Sequence, residues 1–228
     1  YLVGVFAAAM TSETSVANIN AEKVVGFVGG VDSPVINDFL YGFLQGVQDT
    51  DPEVKVDTRY VNSYVDSPAA KELALSMIND NACDIIWGVA GLSGNGAAEA
   101  CSETGKSWFI GVDSDQSPII NQYADGMTVT SAMKGLAATV KTLLTDTVAG
   151  NFDLHAGKVE NLGLVSGDDL TLNYVGLPVE TTEWNDTFTV DDYTALVKAM
   201  VDGKVTVSSD ITVRPETTIA VNYNGNIK

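Results

Sequence analysis

The sequence predicts a parallel, doubly wound α/β fold, and three observations carry that prediction. Five short, mostly apolar runs begin at Val24, Val54, Asp84, Trp108 and Met127, and a segment of helical period follows each. The units recur every ~25 residues between Lys23 and Val148, the rhythm of parallel strands joined by crossover helices. Ser33-Pro34, Ser67-Pro68 and Ser117-Pro118 stand where three of those helices start. Serine offers a capping oxygen, and proline fits a first helical position that needs no amide partner.

Composition limits the function classes. The chain of 228 residues is long enough for one large α/β domain or two lobes, and 45% hydrophobic residues with only 6 prolines exclude disorder. A net charge of -18 argues against a nucleic-acid polyanion or an anionic lipid surface as partner, because both need clustered Lys and Arg. The acids are dispersed, as on a solvated surface, so neither a metal nor another cofactor is implied. No run approaches the ~18 apolar residues of a membrane-spanning helix.

In chain order, residues 1–10 read as an apolar helix entered midway. The basic start of a signal peptide is absent, and the expectation is a chain that begins partway through a longer protein. Residues 24–28 form the first strand, and Gly29-Gly30-Val31-Asp32 is its turn. On the helix after Ser33-Pro34, Val35, Ile36, Phe39, Leu40, Phe43, Leu44 and Val47 make one core-facing stripe. The second strand spans 54–61, a turn runs from Asn62 to Asp66, and the next helix turns Leu73, Met77 and Ile78 inward. The third strand, 84–89, runs into a loop with Gly91, Gly94 and Gly96 and a helix through about Cys101. The fourth, 108–112, stops in Asp113 and Asp115; the fifth, 127–131, leads through Lys134 into a helix ending near Val148.

After Gly150 the rhythm breaks. Strands are expected at 159–164 and 171–175, a helix at 191–201, and edge strands at 205–212 and 218–223, in a tail that packs on or belongs to a different lobe. Cys83 precedes the third strand and Cys101 lies late on its return helix, so two readings stay open. One is a disulfide, which would imply an oxidising compartment; the other is a pair of half-buried thiols.

Ligands of open α/β sheets bind beyond the carboxyl ends of the strands. The five turns there carry Asp32, then Tyr64 and Asp66, then Gly91 and Gly94, then Asp113 and Asp115, then Lys134. Each has a plainer role available: helix capping for the acids, positive φ for the glycines, solvation for Lys134 and loop packing for Tyr64. Their convergence on one rim points to a small polyol-bearing molecule. Carboxylates accept from vicinal hydroxyls, an aromatic ring stacks on a flat base or sugar face, and an ammonium donates. His155 is the only histidine and lies away from the rim, so neither a Ser-His-Asp nor a Cys-His pair assembles there, and no His-rich metal site is possible. Asp113 and Asp115 share one turn rather than facing across a cleft, which speaks against a glycosidase. The chain is therefore read as a binding protein and not as an enzyme.

Four ordered motifs then resemble the basic membrane protein family, substrate-binding lipoproteins of ABC importers similar to purine nucleoside receptors. They are Val25-Gly-Phe-Val-Gly-Gly-Val-Asp-Ser-Pro-Val-Ile, Tyr64-Val-Asp-Ser-Pro-Ala-Ala-Lys-Glu-Leu-Ala, Ile110-Gly-Val-Asp-Ser-Asp-Gln and Thr130-Ser-Ala-Met-Lys-Gly, with a weaker continuation at Asn173-Tyr-Val-Gly-Leu-Pro. The resemblance implies a periplasmic-binding-protein type I fold, with Rossmann-like lobes and a hinged cleft. It also implies that Tyr64 stacks on the base, Asp113 accepts from ribose hydroxyls, Lys134 is its basic partner, and Val31 and Gly91 line the cleft.

Tyr64 stands where the family pattern leads one to expect Trp or Phe. Family chains open with a βα half-lobe whose Asp-Asn pair and second aromatic grip the ligand from the other side. That half-lobe is missing here, and residues 1–10 resemble the helix just before the second lobe. The expected division is 1–22 as a remnant of the first lobe, 23–131 as the second α/β lobe with the rim, and 132–228 as a crossover helix and tail returning to the first lobe. The implied partners are a nucleoside or sugar and an ABC permease. The implied location is extracytoplasmic, with membrane attachment only through an N-terminal lipid anchor absent from this sequence. Two alternatives remain open: a sugar-binding effector or receptor domain of the same fold, and a nucleoside- or sugar-processing hydrolase.

Overall fold

The computed structural model describes residues 1–224. Its sheet has seven strands in the order β6-β5-β4-β3-β1-β2-β7. They are β1 Val24–Gly29, β2 Lys55–Tyr60, β3 Cys83–Val89, β4 Trp108–Asp113, β5 Thr128–Lys134, β6 Val175–Gly176 and β7 Val221–Asn224. All neighbours pair in parallel except β6, which runs antiparallel to β5. The helices are α1 Leu2–Thr11, α2 Pro34–Thr50, α3 Ser67–Asn81, α4 Gly94–Thr104, the short α5 Ser117–Ile120, α6 Leu136–Val148 and α7 Val190–Val201.

The expected parallel α/β layering is present, and the central strands show why. β1 and β3 are buried at every position. Such strands lie in a sheet covered on both faces, where apolar side chains point both ways. One face packs Phe27, Ile85, Trp87 and Ile110 against α1, α2 and α7. The other packs Val28, Ile86 and Phe109 against α3 and α4. Pro34 and Pro68 sit in the first turns of α2 and α3, as the Ser-Pro pairs predict. For α3, however, the capping side chain is Asp66, which accepts from the Ala69 amide.

Both ends of the chain pack on this sheet. Every residue of α1 is buried, and α1 shares one core with α2, β1 and β3. Glycines make the close approach of α1 and α2 possible. A Cβ at Gly4 would lie 2.2 Å from the Phe43 carbonyl oxygen, and one at Gly46 would lie 2.2 Å from that of Tyr1. A helix apolar all round belongs in a core.

The tail likewise joins this sheet: β6 and β7 close its two edges, and α7 buries Tyr193 and Val197 in the α1–α2 core. The strands expected at 159–164 and 205–212 do not form, and that at 171–175 shrinks to β6. Side chains there serve the backbone instead. Asn173 accepts from the amides of Val165 and Ser166, and Gln45 bonds both the amide and the carbonyl of Ser208.

Cys83 and Cys101 are free thiols, so the disulfide reading is not realised. Both are more deeply buried than the half-buried alternative supposed, and burial pushes the Cys101 thiol up to about 12. Among the described residues no helix is long and apolar enough to cross a membrane.

Candidate ligand-binding site

The five rim turns lie at the carboxyl ends of β1 to β5, which are adjacent in the sheet in the order β5-β4-β3-β1-β2. Asp113 and Lys134 end neighbouring strands, in a register that sets Asp113 opposite Met133. Lys134 Nζ donates to Asp113 Oδ1 at 2.7 Å, with both side chains about half exposed. Asp113 has φ +69°, a left-handed backbone that non-glycine residues rarely adopt. Strain of this kind concentrates at functional sites.

The turn around Asp113 is pinned by neighbours. The Gln116 side-chain oxygen accepts from the Val112 amide at 2.8 Å, and the Gln116 amide donates to Ser131 Oγ at 3.1 Å. The Asp113 carboxylate is thereby turned out of the strand with Lys134 as its sole side-chain partner among the described residues. Lys134 in turn lies over the Phe39 ring, 4.9 Å from its centroid, a cation–π contact.

Tyr64 is 43% exposed. Its ring covers Gly30 so closely that a Cβ there would lie 2.2 Å from a ring carbon. Gly91 has φ +56° and brings its backbone against the Tyr64 main chain. Ser93, fully buried, ties these turns together. Its amide donates to the Tyr64 carbonyl at 3.2 Å, its Oγ donates to the Ser63 carbonyl at 3.0 Å, and the same Oγ accepts from the Asp66 amide at 2.8 Å. The ring is thus held by neighbours while one part of it stays open to solvent. Val31 is half-buried on the adjacent turn, and Gly94 is the buried first residue of α4.

Three of the expected acids are engaged by the protein itself. Asp66 caps α3. Asp115 Oδ1 accepts from the amide and hydroxyl of Ser117, and its Oδ2 accepts from the Thr181 hydroxyl at 2.9 Å. Asp32 Oδ1 accepts from Asn37 at 2.9 Å, Asn37 accepts from the Tyr60 hydroxyl at 2.7 Å, and Asp32 Oδ2 is buried. Among the described residues, the Asp113 carboxylate, held only by Lys134, thus stands at the rim with that ammonium, the Tyr64 ring and the Val31 and Gly91 backbones, while Asp66 keeps one oxygen uncapped and Asp32 Oδ2 has no hydrogen-bond partner.

Four residues that position this rim escaped the sequence reading: Phe39, Ser93, Gln116 and Thr181. Phe39 sits on the helical stripe and read as core; Gln116 has a signal in the Asp-Gln that follows the strand, and Ser93 and Thr181 carry none. His155 bonds Glu160 and Asp146, each at 2.8 Å, and no rim residue. The Glu160 and Asp146 carboxylates hold its pKa above the ordinary imidazole value.

A family model described as ABC transporter substrate-binding protein PnrA-like matches residues 1–200. The chain is similar to basic membrane protein D of Borreliella burgdorferi, 36% identical over 157 residues that cover 66% of this chain and 45% of the relative. It is also similar to the ABC transporter nucleoside-binding protein BmpA of Lactococcus lactis, 31% identical over 224 residues that cover 92% of this chain and 57% of the relative. Among solved structures it resembles an ABC transporter system solute-binding protein from Aeropyrum pernix. The TM-score is 0.63 at 25% identity, covering 90% of this chain and 57% of that one. The chain spans about half the length of the curated relatives it matches.

Proposed function

The chain belongs to the family of PnrA-like ABC transporter substrate-binding proteins, and from that premise we propose that its rim recognises a purine nucleoside for import. The observation that carries this reading is the outward-turned Asp113 carboxylate with Lys134 at 2.7 Å and the open face of Tyr64 on the same edge. A carboxylate accepts from both hydroxyls of a vicinal diol, an ammonium donates to ring or hydroxyl oxygens, and a phenol ring stacks on a base. A relative of the same family carries the name nucleoside-binding protein.

In this reading Asp113, Lys134, Tyr64, Val31 and Gly91 touch the solute. Asp32, Asp66, Gly94 and Asp115 shape the turns that present them. The rim supplies one wall of an interlobe cleft, closed from the other side by a second lobe of the longer protein. An ABC permease is the partner, and a lipid anchor holds the receptor outside the cytoplasmic membrane. The family and fold are those of binding proteins, and the rim is read as a binding surface without turnover.

The test is a titration of inosine and its 2′,3′-dideoxy analogue, followed by nuclear magnetic resonance so that millimolar binding registers. Inosine should shift the resonances of Tyr64, Asp113 and Lys134 together, and the dideoxy analogue should not. No shift at the rim up to millimolar inosine, or equal shifts with both compounds, would refute the reading.

A further inference from the structure

Beside the rim, on the face of the sheet covered by α1 and α2, lies a cavity of about 860 Å³. It falls within the ~300–1,000 Å³ range of small-molecule sites. Phe39, Trp87, Leu162, Leu164, Val175 and Met200 give it apolar walls. Among the described residues lining it, only Lys134 and Asp38 have charged side chains. None of Tyr64, Gly91 and Asp113 lines it, so Lys134 alone is common to cavity and rim.

The lysine has capacity for both. An ammonium carries three donors. One goes to Asp113 Oδ1, and the group lies over the Phe39 ring at the cavity wall. Phe39 and Trp87 already meet edge to face at 6.0 Å, an arrangement that a third aromatic ring extends. We propose that this cavity is a second ligand site, for an amphiphile with an aromatic or branched apolar body and a single anionic group bound by Lys134. Asp38 on the lining sets the limit of one negative charge, because a second would meet its carboxylate. The cavity shares Lys134 with the nucleoside reading and nothing else of the rim named there, and the proposal does not depend on that reading.

Two fluorescent probes test it: anilinonaphthalene sulfonate, and phenylnaphthylamine, which has the same rings without the sulfonate. The sulfonate dye should saturate one site per chain and bind about tenfold more tightly than the neutral dye. Lys134→Met should reduce it to the neutral dye's affinity. Thr139→Trp, which fills the cavity from α6 and leaves Asp113 and Lys134 in place, should weaken both dyes by about tenfold. If that variant does not fold, Leu164→Trp fills the same space from the opposite wall. Several equivalent sites, or equal affinity for the two dyes, would overturn the proposal and mark the cavity as an apolar surface for a protein segment. Unchanged binding in the filled variant would place the dye elsewhere and overturn it equally.

Discussion

Asp113 is where the carboxylate and the backbone can be tested apart, because its φ of +69° suits glycine and penalises alanine. Asp113→Ala loses the pair with Lys134, whose half-exposed groups make it worth ~0–1 kcal/mol. It also keeps a Cβ in the left-handed region, at a cost of roughly 1–2 kcal/mol relative to glycine. Asp113→Gly loses the same pair but relieves the backbone, set against ~0.4–1 kcal/mol of added unfolded-chain entropy. The glycine variant should therefore be the more stable by about 1 kcal/mol, or a melting temperature ~2–4 °C higher in a chain of this size. Nucleoside binding should not follow that order. Both variants lack the charged acceptor, so each should lose ~2–4 kcal/mol of affinity, on the order of 30- to 1,000-fold. Calorimetric melting and an inosine titration on the three proteins give both readouts. Wild-type affinity in the glycine variant would show that the carboxylate is no ligand, and equal melting of the two variants would refute the backbone argument.

Further expectations concern other residues. Tyr64→Ala should cost ~1–3 kcal/mol of nucleoside affinity and Tyr64→Phe little; a large loss in the phenylalanine variant would replace stacking by a hydroxyl contact. His155 has a raised folded pKa, owing first to Glu160 and then to Asp146, so its stabilisation is complete below the unfolded value and fades as pH rises through the folded one. The melting temperature lost in His155→Gln should thus be larger at pH 5.5 than at pH 9, and a pH-independent loss would argue against the clasp. Asp84 is buried with Thr11 and the Asn20 amide as partners, and desolvation lifts its pKa to about 7. Its folded form binds the proton more tightly than the unfolded chain does, so stability should fall as pH rises from ~4 through about 7. Asp84→Asn should flatten that slope, and an unchanged slope in the variant would assign it to other groups.

The parts of the molecule that were legible in the sequence are those determined locally. β1, β3 and β4 are short apolar runs, each followed by a turn and a segment of helical period, the rhythm of buried parallel strands. Asp113 and Lys134 stand out because a charge directly after such a run has few places to go but the rim. The fate of the other acids depends on partners distant in sequence. Asp115 is held by Thr181, and Asp32 Oδ1 by Asn37, which Tyr60 holds in turn, and no local pattern announces either. α1 was legible as a helix but not as part of this core, since an all-apolar helix shows no side that names its neighbour. The tail was least legible, because side chains such as Gln45 and Gln48, more than 160 residues away in sequence, fix Ser208 and Thr218 in place of a strand ladder.

That tail carries a consequence for how the protein comes into being. Both margins of the sheet are finished by its short strands, β6 beside β5 and β7 beside β2. Until they arrive, β2 and β5 present open rows of amides and carbonyls, the template on which chains join edge to edge. Strand β2 ends at Tyr60 and β7 ends at Asn224, so at ~5–20 residues per second the β2 margin stays open for roughly 8 to 30 seconds of synthesis. The most hazardous moment for this molecule thus falls late in its making, when a nearly finished sheet waits for its last four-residue strand. A chain shortened ahead of Val221 would keep its rim yet live permanently in that moment, with aggregation as its characteristic failure.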